Sequence, residues 1–309
     1  MRTTRIAVMG EALIDLVAAR GETSGDLYRA LAGGSGFNTA LGLARLGVAA
    51  SYCGALSRDA QGSRLSRDMR DAGIDLHGAV MSERPSPVVL VETDTAGSPI
   101  YSLHLSETAL DDAPPAWAVA AGLTHLHATS FACTLGAGGA AALATLAAAR
   151  GRTSTSFDPN IRPAILPDRL ATLELLAERI ALADIVKVSA EDLMFLTGDE
   201  AGEALIAAWL RQDVRLVVRT EGGRGATAFF GIHRVFAPAP FVEVSDTVGA
   251  GDSFMAALLA ILAEEGRLGA GQLKIGEADA ARWLAFATRA AAVTCTRAGA
   301  DPPTRRELC

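Results

Sequence analysis

The sequence predicts an α/β protein with a mostly parallel sheet flanked by helices and a small β-sheet projecting from it. Three observations carry that expectation. From residue 123 onward, short apolar segments at 123–128, 153–157, 184–188 and 215–218 alternate with helical patterns at 137–149, 169–181 and 200–211, which is the arrangement of βαβ units. Two regions, near residues 12–31 and 86–106, break the alternation and read as paired strands, the second around Asp94-Thr95-Ala96-Gly97-Ser98. Glycine-rich strings recur where expected strands run into helices. No repeat or low-complexity linker divides the chain, so residues 1–309 read as one domain into which the projecting strands are inserted.

The remaining elements follow from periodicity. Residues 5–9 and 13–17 form apolar strands. Residues 37–46 carry apolar side chains at helical spacing and stop at Gly47, and a polar helix over 61–72 is closed by Gly73. Residues 50–56 read as one strand. Residues 242–244 read as a strand leading into a glycine turn, and the apolar run 255–262 continues the helix that follows it.

Composition narrows the function. Half of the 309 residues are apolar, a fifth are charged and the formal net charge is −7, which is ample for a core and argues against a nucleic-acid partner. No apolar run reaches membrane-spanning length without glycine or charge. The chain enters its first strand with no signal-peptide pattern. The cysteines Cys53, Cys133, Cys295 and Cys309 are scattered, so free thiols in a reducing cytoplasm are expected. His125 and His127 alternate along one strand, where packing or hydrogen bonding is favoured over metal binding because no third ligand stands at motif spacing.

The chemistry concentrates in Asp246-Thr247-Val248-Gly249-Ala250-Gly251-Asp252-Ser253-Phe254. A glycine turn at a helix start offers unpaired N–H groups and a partial positive charge to an anion. Asp252, on the first helical turn, would repel a resting phosphate. It suits a base that takes a proton from a hydroxyl attacking one, or else it is an N-capping acid. Four further strings end expected strands: Gly33-Gly34-Ser35-Gly36-Phe37-Asn38, where Asn38 suits polyol recognition; Asp158-Pro159-Asn160-Ile161-Arg162; Lys187-Val188-Ser189-Ala190-Glu191-Asp192; and Thr220-Glu221-Gly222-Gly223-Arg224-Gly225. Ligands of open α/β sheets bind beyond the carboxyl ends of the strands, so one cleft would collect all of these. A dinucleotide fingerprint at Gly136-Ala137-Gly138-Gly139-Ala140-Ala141 is disfavoured because residues 129–135 separate it from its strand, and no P-loop occurs.

Together these strings resemble the PfkB (ribokinase-like) family of carbohydrate kinases over nearly the whole chain. Residues 246–254 look like that family's C-terminal signature, and the Gly33 to Asn38 string followed by Ala44-Arg45-Leu46-Gly47 looks like its N-terminal one. The resemblance implies a doubly wound α/β domain with a β-sheet lid, ATP and Mg²⁺ as cofactors, and, in some members, K⁺. It implies Asp252 as base, with the N–H groups of Gly249, Ala250 and Gly251 as anion hole. Asp15, Gly33, Gly34, Asn38 and Arg162 fall on the sugar side, and Lys187, Thr220, Gly222, Gly225 and Thr288 on the nucleotide side. Asp192 would organise Mg²⁺ through water, although the family's Asn-x-x-Glu stands here as Ser189-Ala190-Glu191-Asp192. Asp246, Val248, Thr294, Arg297 and Gly299 match the monovalent-cation loop. A homodimer through the lid is the family expectation. Within the family, Phe157 to Pro163, the Lys187-Val188-Ser189 start and the Gly299 to Thr304 ending look most like bacterial fructokinases. The 2-dehydro-3-deoxygluconate kinases and ribokinase are the alternatives, and a non-catalytic sugar- or nucleotide-binding protein on the same fold is the alternative of another class.

Overall fold

The computed structural model describes residues 5–19, 27–93, 99–112, 114, 123–166 and 168–308. The turn expected at 94–98 and Cys309 lie outside the described residues. Strand β1 (Arg5–Met9) sends Ile6 and Val8 to one face of the central sheet and Ala7 and Met9 to the other, burying both. After β2 (Leu13–Ala19) and β3 (Leu27–Gly33), a single residue, Gly34, separates β3 from α1 (Ser35–Arg45). The expected strand at 50–56 is two strands, β4 (Ala49–Tyr52) and β5 (Ala55–Ser57). The break falls at Cys53-Gly54, where a Cβ on Gly54 would lie 2.2 Å from the Tyr52 hydroxyl oxygen. Helix α2 (Ala60–Asp71) follows, capped by Asp59, which accepts the Gly62 N–H.

Next come β6 (Val80–Ser82), β7 (Val88–Thr93) and β8 (Pro99–His104), and then the alternation expected from the sequence. It runs β9 (His125–Thr129), α3 (Gly136–Ala149), β10 (Ser154–Asp158), α4 (Arg169–Ile180), β11 (Ile185–Ser189), α5 (Ala190–Thr197), α6 (Glu203–Leu210) and β12 (Leu216–Thr220). The chain closes with the hairpin β13 (Gly225–Phe230) and β14 (His233–Pro238), then α7 (Ala250–Glu264) and α8 (Glu277–Cys295).

The central sheet has the order β14-β13-β12-β11-β10-β9-β1-β4, parallel from β12 to β4, with the hairpin antiparallel at one edge. The chain winds one way from β1 to β4 and the other way from β9 to β12, so the topological switch falls between the adjacent strands β1 and β9. Helices α1, α7 and α8 pack in the core cluster on one face, which includes Phe37, Leu43, Met255, Leu258 and Trp283. Helices α3 to α6 pack on the other, around Leu146, Phe157, Leu176 and Trp209. A separate four-stranded sheet has the order β3-β2-β7-β8, and β5 and β6 form a third of two strands.

Residues 242–244 are not a strand. Phe241 and Val244 are exposed and the segment leaves β14 through Pro238 and Pro240 without a strand to pair with, so it reaches α7 as irregular chain. The strings at 136–141 also resolve without a cofactor turn: a 3₁₀ turn over Phe131–Cys133 intervenes, and Gly136 starts α3. His125 bonds to Ser154 and Ser156 at 2.7 Å each, and His127 to Ser156 at 2.8 Å. Burial drives both imidazoles toward the neutral form, His127 to about 3. Among the described residues, no helix is long and apolar enough to cross a membrane.

Candidate active site

The strand register places the functional strings side by side. Thr129 stands opposite Asp158, Phe157 opposite Val186 (so that Asp158 neighbours Lys187), and Ser189 opposite Thr220. All lie at the carboxyl ends of parallel strands, beside the switch between β1 and β9.

Asp252 sits on the first turn of α7, 7 % exposed. Its Oδ1 accepts the Ser35 hydroxyl at 2.6 Å and its Oδ2 accepts the Asn38 amide at 2.8 Å. The Asn38 Nδ2 must face the carboxylate, which only accepts. That leaves Asn38 Oδ1 buried with no protein partner, an acceptor suited to a sugar hydroxyl.

The turn before α7 needs glycine. Gly249 has φ +74°, and a Cβ there would stand 2.5 Å from the Ala300 Cβ. A Cβ on Gly251 would lie 3.0 Å from Lys187 Nζ, so the ammonium reaches the glycine turn. The Ala250 N–H is turned to the Thr247 carbonyl at 3.2 Å, which separates it from the Gly249 and Gly251 amides with which it was grouped.

Lys187 is 3 % exposed and donates to Asp158 Oδ2 at 2.8 Å. Burial opposes its charge, but the carboxylates of Asp158, Asp192 and Asp252 outweigh that and hold it above the ordinary lysine value. Asp158 itself is pushed up to about 6 by burial, with Lys187 opposing.

On the small sheet, Asp15 lies against Gly33, where a Cβ would meet its Oδ2 at 2.3 Å. Burial raises the Asp15 carboxyl to about 6 against the pull of Arg162, with Asp246 and Asp252 raising it further. Gly34, at φ +100°, lets the chain turn over the Glu11 carbonyl. Asp15, Gly33, Gly34, Asn38 and Arg162 therefore converge on the same end of the sheet as Asp252.

The nucleotide-side residues divide. Thr220, Gly222 and Gly225 form the turn from β12 into β13, closed by Glu221 N–H to the Gly225 carbonyl at 2.8 Å. Thr288 is buried in α8 with its hydroxyl on the Ala285 carbonyl of the same helix at 3.2 Å. Asp192 completes a capping box with Ser189, its Oδ2 accepting the Ser189 N–H and its Oδ1 the Ile161 N–H, both at 2.9 Å. Each oxygen thus holds one backbone amide and keeps a second lone pair free. Among the described residues, no three His, Cys, Asp or Glu side chains group as a metal site.

Of the residues matched to a cation loop, Asp246 joins Val248 and Gly299, while Thr294 and Arg297 bond to each other. Asp246 Oδ1 accepts the Val248 N–H at 3.0 Å and its Oδ2 the Gly299 N–H at 2.8 Å. Arg297 N–H bonds to the Thr294 carbonyl at 3.1 Å.

Glu11 is a site residue that the sequence did not single out. It is 3 % exposed, its Oε1 accepts the Ser35 N–H at 2.9 Å, and its Oε2 has no partner. The only signal is an acid between the apolar Met9-Gly10 and Ala12-Leu13. Burial pushes its carboxyl from 4.5 up to about 7, with Asp252 adding to the rise and the Ser35 N–H opposing it. The folded state thus prefers the proton, and ionisation costs stability as pH climbs from 4.5 to 7. Glu11→Gln is expected to match the parent near pH 4.5, gain as pH rises, and level off at about 3 kcal/mol more stable above pH 7. Urea unfolding at pH 5 and pH 8 reads this directly.

Fold and site together define a phosphotransferase with an alcohol group as acceptor: a buried carboxylate beside a glycine turn at a helix start, near the switch point of a doubly wound sheet. The family model described as pfkB family carbohydrate kinase matches residues 3–306. The chain belongs to that family. It is 33 % identical over 265 residues to a fructokinase of Rhizobium leguminosarum bv. trifolii, covering 83 % of this chain and 79 % of that one. It is 30 % identical over 271 residues to a fructokinase of Salmonella typhimurium, covering 85 % of each. The crystal structure of a Xylella fastidiosa fructokinase with bound ATP superposes with a TM-score of 0.87 at 25 % identity, covering 100 % of this chain and 97 % of that one.

Proposed function

We propose that this sugar kinase transfers the γ-phosphoryl group of ATP to a primary hydroxyl of fructose, with Asp252 as the base. The observation that carries the mechanism is the Asp252 carboxylate on the first turn of α7, gripped by Ser35 and Asn38 beside the Gly249–Gly251 turn. Asn38 Oδ1 and Asp15 orient the sugar, and Asp252 takes the proton from the attacking hydroxyl. The helix start and Lys187 stabilise the negative charge of the group in flight. Mg²⁺, where bound, neutralises phosphate charge, with Asp192 contributing through water. Closure of the small sheet over the sugar would exclude water and suppress ATP hydrolysis. The Asp246–Gly299 contact supports a K⁺ site in the loop of Asp246, Val248, Thr294, Arg297 and Gly299. Exposed Leu27, Tyr28, Ile100 and Tyr101 on the small sheet support pairing of two copies through it.

Fructose is supported by the two relatives named above, which are fructokinases, and by the match of the strings at 157–163 and 299–304 to that group. A coupled ADP-release assay across fructose, 2-dehydro-3-deoxygluconate, ribose, tagatose and adenosine tests the assignment. The expected result is the highest kcat/KM with fructose. Preference for the keto-acid would overturn the substrate while leaving the family intact. Ligand-dependent melting shifts without turnover on any of them would overturn catalysis.

A further inference from the structure

Ser35 holds three contacts in one buried position. It is the first residue of α1, 3 % exposed, and its helix start has no side-chain cap, since Gly34 precedes it. Its N–H goes to Glu11 Oε1 at 2.9 Å, its hydroxyl to Asp252 Oδ1 at 2.6 Å, and its Oγ stands 2.7 Å from Thr129 Oγ1. The proton assignment follows from chemistry. A carboxylate only accepts, so the Ser35 proton points at Asp252, and the Thr129 hydroxyl must then donate to Ser35. Thr129, at the end of β9, is fully buried and Glu11 is 3 % exposed. Ser35 therefore joins the carboxyl ends of β1 and β9 to the first turns of α1 and α7.

We propose that Ser35 is a positioning residue for the phosphoryl transfer: through the chain Thr129 to Ser35 to Asp252, it fixes the rotamer of the base and the direction in which its free lone pairs point. The inference rests on Asp252 as the base. A hydrogen bond to a charged carboxylate is among the stronger protein hydrogen bonds. With Oδ1 and Oδ2 each tied to a different donor, the carboxylate plane cannot rotate, which presents its remaining lone pairs in one direction. Ser35 touches no reacting atom and acts only through Asp252.

The test compares Ser35→Ala, Thr129→Val, Asp252→Asn and Ser35→Ala/Asp252→Asn by steady-state kinetics from pH 5 to 9, with circular dichroism and melting of each. Ser35→Ala should lower kcat about tenfold and leave KM for sugar and ATP within about twofold. Ser35→Thr, which restores the hydroxyl, should recover most of the rate. In the Asp252→Asn background, Ser35→Ala should cost nothing more, since the two act as one unit. Should Ser35→Ala fail to fold, Thr129→Val, which leaves Ser35 in place, carries the same expectation with a smaller loss. Parental kcat in the folded Ser35→Ala or Thr129→Val protein would overturn the inference, as would a loss that Ser35→Thr does not recover. So would a loss fully additive with that of Asp252→Asn. Parental turnover in Asp252→Asn would instead remove the base assignment itself, a separable failure.

Discussion

Replacing Asp252 with Asn should lower kcat by a factor of about a hundred or more, the contribution of a positioned base, while the fold and both KM values stay near those of the parent. The argument begins with shape. Asn is isosteric with Asp, and its amide can still meet the two donors that hold the carboxylate. Its Oδ1 accepts from Asn38, and the Ser35 hydroxyl turns to accept from the new NH₂, so little packing energy is at stake. What disappears is the group that removes the proton from the sugar hydroxyl as the oxygen attacks phosphorus. The residual rate would come from the anion-binding turn, from Lys187 and from alignment of the two substrates, none of which the substitution touches. Coupled ADP release under saturating substrates, beside a melting curve, checks both halves. A folded Asp252→Asn protein that turns over at the parental rate would refute the mechanism.

The largest stability effect should come from Lys187→Met. The Lys187–Asp158 pair is buried almost completely, with side-chain exposures of 4 % and 1 %. Removing one member strands the other, and breaking a buried pair this way costs about 3–5 kcal/mol. Asp158 already sits beside Asp192 and Asp252, whose charges raise it, so the loss of the ammonium leaves three carboxylates with no neutralising partner between them. The sign with pH is fixed by that logic. The folded-state pKa of Asp158, at about 6 against an ordinary 3.8, rises further in the variant, so the deficit is smaller at pH 5 than at pH 8. Lys187→Met/Asp158→Asn should recover most of the stability, because no charge is then stranded, yet remain inactive, because the ammonium at the anion-binding turn is still absent. Denaturant unfolding and turnover of both variants separate the two roles. A Lys187→Met protein as stable as its parent would mean that the pair carries no structural weight.

Local pattern was enough to find Asp252, the glycine turn and the βαβ half of the fold, because each is written in contiguous residues. The turn's need for glycine at 249 and the capping acid at 192 are local in the same way. What pattern missed depends on partners far along the chain. Ser35 lies in a string read for its glycines, and the reason for its hydroxyl is a carboxylate 217 residues away. Glu11 looks like a stray acid after a strand until α1 is seen to start on it. Residues 242–244 have the alternation of a strand but no neighbour to bond with, whereas β13 and β14, which the pattern left unassigned, find β12 and each other.

The pair of imidazoles beneath α7 bears on how any pH profile of this enzyme is to be read. A titration near neutrality in a kinase active site is habitually assigned to histidine. Here His125 is held between Ser154 and Ser156 and His127 against Ser156, burial keeps both uncharged, and the buried site groups that are pushed up toward neutrality are the carboxyls of Glu11, Asp15 and Asp158. Each of these gains negative charge as pH rises, beside a site that must receive a polyphosphate. The acid–base signature of the site is therefore that of a carboxylate cluster charging against its own nucleotide.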